Sequence, residues 1–228
     1  MKRIILGCIG AWMLNACAPV KQNGTMEDMF LIVGSYATPQ EEGIKVYAWN
    51  NEKGEATYVS GLKGISNPSY QVVSADGERT YSVGEDDGLT STAHALSFDK
   101  AKGELTLMNA QLTQGGAPCY INIAPDGKSV VTANYMGANI SFIPLEASGR
   151  LTENVKTIAF TGEGEIKNRQ DQPHLHCVEF TPDGKHLLAN DLGTDKIHIF
   201  PLNSAGKLDE KAGFDVNLEP ASGPRHIC

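Results

Sequence analysis

Tryptophan, basic clusters and long apolar runs are scarce in this 228-residue chain, and each scarcity removes a class of function. Only Trp12 and Trp49 are present, and aromatic residues make up 7% of the chain. That leaves little material for a protein-docking hot spot, where Trp, Tyr and Arg anchors dominate. Lys and Arg number 19 against 27 Asp and Glu, a formal charge of −8, and no basic run occurs. Phosphate backbones are bound by clustered Lys and Arg, so nucleic acid is not an expected partner. No segment reaches the roughly 20 apolar residues of a spanning helix. Sustained 3.6-residue periodicity is also missing, which predicts a chain essentially without α-helix. The five cysteines match no zinc spacing. Cys119, Cys177 and Cys228 are odd in number and read as small buried hydrophobes.

The first residues form an address. Lys2 and Arg3 precede a short apolar stretch from Ile4 to Leu14, the pattern of a signal peptide. Leu14-Asn15-Ala16-Cys17 resembles a lipobox, with Asn15 departing from the usual small residue there. The expectation is a lipoprotein signal peptide over residues 1–16, lipidation of Cys17, and a polar tether over residues 17–28. The product would be exported and anchored to a membrane, facing the periplasm or the cell surface.

What is abundant is repetition. Asn67-Pro68-Ser69-Tyr70, Ala117-Pro118-Cys119-Tyr120, Gln172-Pro173-His174-Leu175 and Gly223-Pro224-Arg225-His226 share a layout, with prolines 50, 55 and 51 residues apart. The first three run on to Asp76-Gly77, Asp126-Gly127 and Asp183-Gly184, each followed by an apolar strand. Out of phase with these, Gly54, Gly103, Gly149 and Gly206 each separate two further short strands. Glycine takes positive φ without steric penalty, so these breaks predict antiparallel hairpins. Four strands in a unit of about 50 residues describe a propeller blade. Residues 29–228 are therefore read as an all-β propeller of four-stranded antiparallel blades, about four of them. The last segment stops at Cys228 before its own Asp-Gly turn. A C-terminally truncated fragment is expected over a closed four-bladed ring.

Four motifs occur in order along the chain, the second and fourth one blade apart: Ala133-Asn134-Tyr135, Gln172-Pro173-His174-Leu175-His176, Asp191-Leu192-Gly193-Thr194-Asp195 and Gly223-Pro224-Arg225-His226. Their series resembles the lactonase family that includes bacterial 6-phosphogluconolactonases and fungal carboxy-muconate cycloisomerase. The resemblance spans Phe30 to Cys228 and implies a seven-bladed ring, of which this chain would hold a little over half. It also implies active-site roles for a histidine of Pro-His-x-His and for the arginine of Gly-Pro-Arg-His. A further glutamate and arginine of the family would lie beyond Cys228.

The residues themselves support that chemistry. Aligned on their prolines, Ser69, Cys119, His174 and Arg225 occupy one position in successive blades, at a channel mouth. Period two places His176 on the face of His174. Imidazole titrates near neutrality and serves as a general base. Guanidinium is a permanently charged fork for phosphate, carboxylate or a developing oxyanion. His174, His176 and Arg225 are the catalytic candidates, and Arg169, Asn134, Tyr135 and His226 the substrate-binding ones. Asp191 and Asp195 are assigned to turn organisation. His94, His186 and His198 carry no signal. No metal or other cofactor is expected: His174 and His176 share a face without that guaranteeing a common ion, His226 follows the opposite pleat parity, and the resemblance calls for none. The expected partner is a small-molecule lactone. The rival readings are a carbohydrate- or protein-binding propeller without activity and a muconate-type cycloisomerase.

Overall fold

The computed structural model describes residues 29–203 and 206–227. The signal peptide, the tether, the lipidation site Cys17 and Cys228 lie outside the described residues. The glycines that punctuate the sequence set the strand breaks. Gly77, Gly127 and Gly184 take φ of 66–67° between first and second strands, and Gly54, Gly103, Gly149 and Gly206 take 66–86° between third and outer strands. In this left-handed region a Cβ would crowd the following carbonyl.

The resulting hairpins assemble into four antiparallel sheets. The first has three strands, β1 (Met29–Gly34), β2 (Ile44–Asn50) and β3 (Glu55–Leu62). The second runs β4 (Gln71–Val73), β5 (Arg79–Gly84), β6 (Thr92–Asp99) and β7 (Glu104–Leu112). The third runs β8 (Pro118–Ile123), β9 (Ser129–Asn134), β10 (Asn139–Pro144) and β11 (Lys156–Ala159). The fourth runs β12 (Leu175–Phe180), β13 (His186–Asp191), β14 (Lys196–Pro201) and β15 (Phe214–Asn217). Among the described residues the only helical turn is a 3₁₀ segment, Glu210–Ala212. Each sheet is a meander in sequence order, as expected of propeller blades, and the chain carries about four of them.

The core lies between blades. Strand β9 shows why: Val130 packs toward the second blade with Tyr81, Ile121 and Ile143, whereas Val131 and Ala133 pack toward the fourth with Leu175 and Leu187. Both faces of such a strand are covered, so its buried residues do not alternate with exposed ones, and Thr132 and Asn134 are buried beside Val130, Val131 and Ala133. A smaller cluster, Ile44, Ile65 and Leu96, joins the first blade to the second. Free Cys119 and Cys177 are both buried, and burial pushes both thiols up.

Backbone hydrogen bonds fix which residues are equivalent from blade to blade. Glu85 N donates to Asn67 O (3.0 Å), Tyr135 N to Ala117 O (2.9 Å) and Leu192 N to His174 O (3.0 Å). His174 therefore stands where Ala117 and Asn67 stand. Two residues further on, Ser69, Cys119 and His176 share one rung. The proline alignment that put His174 on that rung is corrected. The segment before β12 advances two residues relative to its proline, so the strand register, and not the proline, decides which histidine is presented.

Candidate active site

Two bulges open the mouth of the channel. The β8–β9 ladder shifts between Pro118 and Tyr120, and the β12–β13 ladder between Leu175 and Cys177. Cys119 and His176 are the extra residues, and a bulge turns its extra side chain out of the ladder. Cys119 is nonetheless no nucleophile. Its Sγ lies 3.6–3.8 Å from the carbonyls of Ala133, Leu175 and His176, and burial, then the charge of Glu85, keep the thiol protonated.

His176 is the imidazole of the rung. It lines a cleft of about 340 Å³ together with Arg225, Arg169, His226, Tyr135 and Glu85. Burial, then the positive charges of Arg225 and His226, lower its pKa to about 4. The imidazole is therefore neutral at pH 7, and its buried Nδ1 has no hydrogen-bond partner among the described residues. Its ring stands edge-on to His226 at 5.0 Å and to Tyr135 at 5.9 Å. His226 is itself shifted down by burial and by Arg225.

Arg225 reaches the cleft because a turn is tied to the fourth blade. Asp195 Oδ1 accepts from Gly223 N and Oδ2 from Ala221 N, both at 2.8 Å, while its carbonyl accepts from Leu218 N at 2.9 Å. Gln170 Nε2 donates to the same carboxylate at 2.7 Å, so one aspartate holds both segments that flank the mouth. Desolvation would raise this carboxyl, but the donors outweigh it and hold the group below the usual range. Arg225 is exposed and has no ion-pair partner among the described residues.

The cleft also carries a carboxylate. Glu85 Oε1 accepts from Tyr36 OH at 2.7 Å, and Oε2 accepts a short hydrogen bond from Ser69 Oγ. Burial, followed by the Glu85 hydrogen bond and charge, pushes the Tyr36 phenol up to about 12. Glu85 was not among the expected site residues. It follows β5 as Tyr135 follows β9, so an alignment on the Asp-Gly turns places it at the mouth.

The remaining expected residues divide. Tyr135 and Arg169 line the cleft; the Arg169 guanidinium sits 5.3 Å from the Tyr135 ring centre and donates a short hydrogen bond to its hydroxyl. His174 is buried behind that wall. Its ring stacks on Tyr135 at 4.1 Å, Nδ1 lies 3.0 Å from Tyr135 O, and its backbone N–H donates to Asp191 Oδ1 at 2.7 Å. It positions the wall and does not line the cleft, which corrects its expected catalytic place. Asn134 is also corrected: fully buried, it donates to Asn139 Oδ1 and Ser141 Oγ at 2.7 Å and accepts from Thr132 Oγ1 at 3.0 Å. With both N–H donors committed and the side chain fully buried, this amide does not line the cleft.

Asp191 organises its turn as expected, accepting from Gly193 N (3.0 Å) and Thr194 Oγ1 (2.6 Å). His198 does more than the sequence suggested. It bridges Asp191 Oδ2 (3.3 Å) and Asp215 Oδ1 (2.7 Å) and stacks on Phe160 at 4.3 Å. A larger groove of about 880 Å³ lies between the second and third blades at the far ends of the inner strands. Arg79 and Asp76 there pair with each other at 3.0 Å, and the groove holds no imidazole.

A family model described as "Lactonase, 7-bladed beta-propeller" matches residues 30–228. The chain belongs to this lactonase family. It is similar to the 6-phosphogluconolactonase of Bacillus subtilis, at 34% identity over 196 residues covering 86% of this chain and 55% of that relative. A Formosa agariphila 6-phosphogluconolactonase is 32% identical over 201 residues, 86% of this chain and 57% of its own. Among solved structures, a candidate 6-phosphogluconolactonase of Bacteroides fragilis superposes with a TM-score of 0.80 at 42% identity, covering 89% of this chain and 58% of its own. The periplasmic gluconolactonase of Pseudomonas aeruginosa gives 0.75 at 29% identity, covering 86% and 57%. The lactonase chain thus spans little more than half the length of these relatives. His176 stands near the start of β12, and Arg225 in the segment that follows β15.

Proposed function

We propose that the protein is a carboxylic ester hydrolase that opens a sugar lactone, 6-phospho-D-glucono-1,5-lactone or a related aldonolactone. One observation carries this reading: a neutral, bulge-presented His176 and an unpaired Arg225 converge on one cleft. The names of its relatives point the same way. In the reaction, the His176 imidazole takes a proton from water as the water oxygen bonds to the lactone carbonyl carbon. Arg225 stabilises the tetrahedral oxyanion, or anchors an anionic substituent with its fork. Collapse breaks the ring C–O bond, and the imidazolium returns its proton to the departing alkoxide. One water is consumed and one aldonic acid released, with no other reactant.

Arg169 adds a second permanent positive charge to the same cleft, which favours a lactone bearing phosphate or carboxylate. Comparing glucono-δ-lactone with its 6-phosphate by proton release in weak buffer tests the assignment. Acceleration over spontaneous opening that disappears in His176→Ala supports it. Acceleration that survives the substitution removes His176 from the mechanism.

We further propose that the protein acts outside the cytoplasm, held by a lipid on Cys17. The Lys2-Arg3 start, the short apolar stretch and the Leu-Asn-Ala-Cys ending support this. Mass spectrometry of the membrane-extracted protein tests it: a diacylglyceryl N-terminal Cys17 is expected, and an unmodified Cys17 or a cleavage elsewhere contradicts it.

A further inference from the structure

The cleft carries side chains of both charges, and the lactonase reading uses only the cationic ones. Arg225 and Arg169 supply the positive charge, and Glu85, held between Tyr36 and Ser69, supplies the negative. No ion pair joins Glu85 to Arg225 among the described residues, so the two charges face one cleft without cancelling. An ionised carboxylate offers about four lone-pair sites. Tyr36 and Ser69 occupy one on each oxygen, which fixes the carboxylate's plane and leaves acceptor capacity toward the cleft. Both neighbours donate, and neither can satisfy the remaining lone pairs.

We infer that Glu85 is a specificity-determining residue that accepts hydrogen bonds from the hydroxyl groups of a polyhydroxylated, anionic substrate. The inference rests on the sugar-lactone reading and narrows its substrate class. A site built to accept from hydroxyls discriminates against analogues that lack them, because a bound ligand would strip the half-buried carboxylate of water without replacing the donor. Lactones without ring hydroxyls would be poor substrates. Lactones with hydroxyls but no anionic group would engage Glu85 and leave the guanidinium groups unused. The negative charge of Glu85 also opposes an anion placed on its side, so it fixes the direction in which an acidic substrate lies.

Equilibrium titration of the wild-type protein and of Glu85→Gln tests this with two stable probes, 6-phosphogluconate and inorganic phosphate. The first carries both hydroxyls and phosphate, the second phosphate alone. The substitution is expected to weaken 6-phosphogluconate about tenfold or more, the range of a lost hydrogen bond to a charged group. Phosphate affinity should be unchanged or slightly tighter, because a negative charge has been removed, and its retention shows that the variant is folded. An equal loss for both probes, no loss for either, or a wild type that binds 6-phosphogluconate no better than phosphate overturns the inference. The hydrolase reading fails separately: a wild type that shows the Glu85 penalty in binding yet opens no lactone keeps the subsite and loses the reaction.

Discussion

At the scale of single residues, two histidines two positions apart have different environments and therefore different work. His176 is presented by a bulge, lines the cleft and is held neutral at pH 7 by burial and the charge of Arg225. His174 is packed against the Tyr135 ring and bonded through its backbone to Asp191. Replacing His176 with alanine is expected to lower kcat/KM by about 10²–10⁴, the contribution of a positioned general base. His174→Phe keeps the stack on Tyr135 and should retain most of the turnover, with a lower melting temperature. Steady-state kinetics on both variants checks the pair. The pH profile has a definite sign. The His176 pKa is depressed, so the base is available above about 4 and is lost as pH falls through it. The acid limb of kcat/KM, which reports the free enzyme, should lie well below the ordinary imidazole range. A limb near 6.5 would mean that a different, solvated histidine carries the reaction.

At the scale of elements, what the sequence revealed and what it hid have the same cause. Strand breaks are local: a glycine at positive φ announces itself, and all four blades follow from such signals. Register is not local. The prolines mark the approach to each inner strand, but the β12 segment advances two residues before entering its ladder, so His174 and His176 exchange the roles that the prolines suggested. Glu85 escaped notice for the same reason, because its importance depends on Tyr36 and Ser69 arriving from two other segments. His198 was legible in principle. It lies directly opposite Asp215 in the β14–β15 hairpin, a cross-strand pair that the register around Gly206 would have exposed. The turn that presents Arg225 depends on Asp195, which receives hydrogen bonds from Gly223, Ala221 and Gln170. Asp195→Ala is expected to cost about 1–3 kcal/mol, the penalty for stranding buried donors. It should also raise KM, because Arg225 is no longer aimed. Denaturant melts together with KM measurements test this, and an unchanged KM would detach the turn from the site.

At the scale of the whole molecule, stability resides in the layers between blades, and two buried histidines connect it to pH. His94 on β6 has its pKa lowered to about 4 by burial, a little offset by Asp86, and its Nδ1 has no partner among the described residues. The unfolded chain would protonate this ring near 6.5 and the folded chain only near 4, as it would His176. Stability is therefore full above the unfolded value and declines as pH falls from about 6.5 to 4, by up to about 3 kcal/mol for a fully buried ring. His94→Leu should flatten the pH dependence of the melting temperature over that window; an unaltered slope would place the titration elsewhere. The lactonase assignment is tested most directly by proton release from glucono-δ-lactone and its 6-phosphate. The measurement would use this chain, the chain carried to the full length of its relatives, and His176→Ala in whichever form is active. The structure predicts acceleration over spontaneous opening, greater for the phosphorylated lactone, that is lost on the substitution. Folded protein that accelerates neither lactone in either form, or that keeps its rate without His176, would contradict the account.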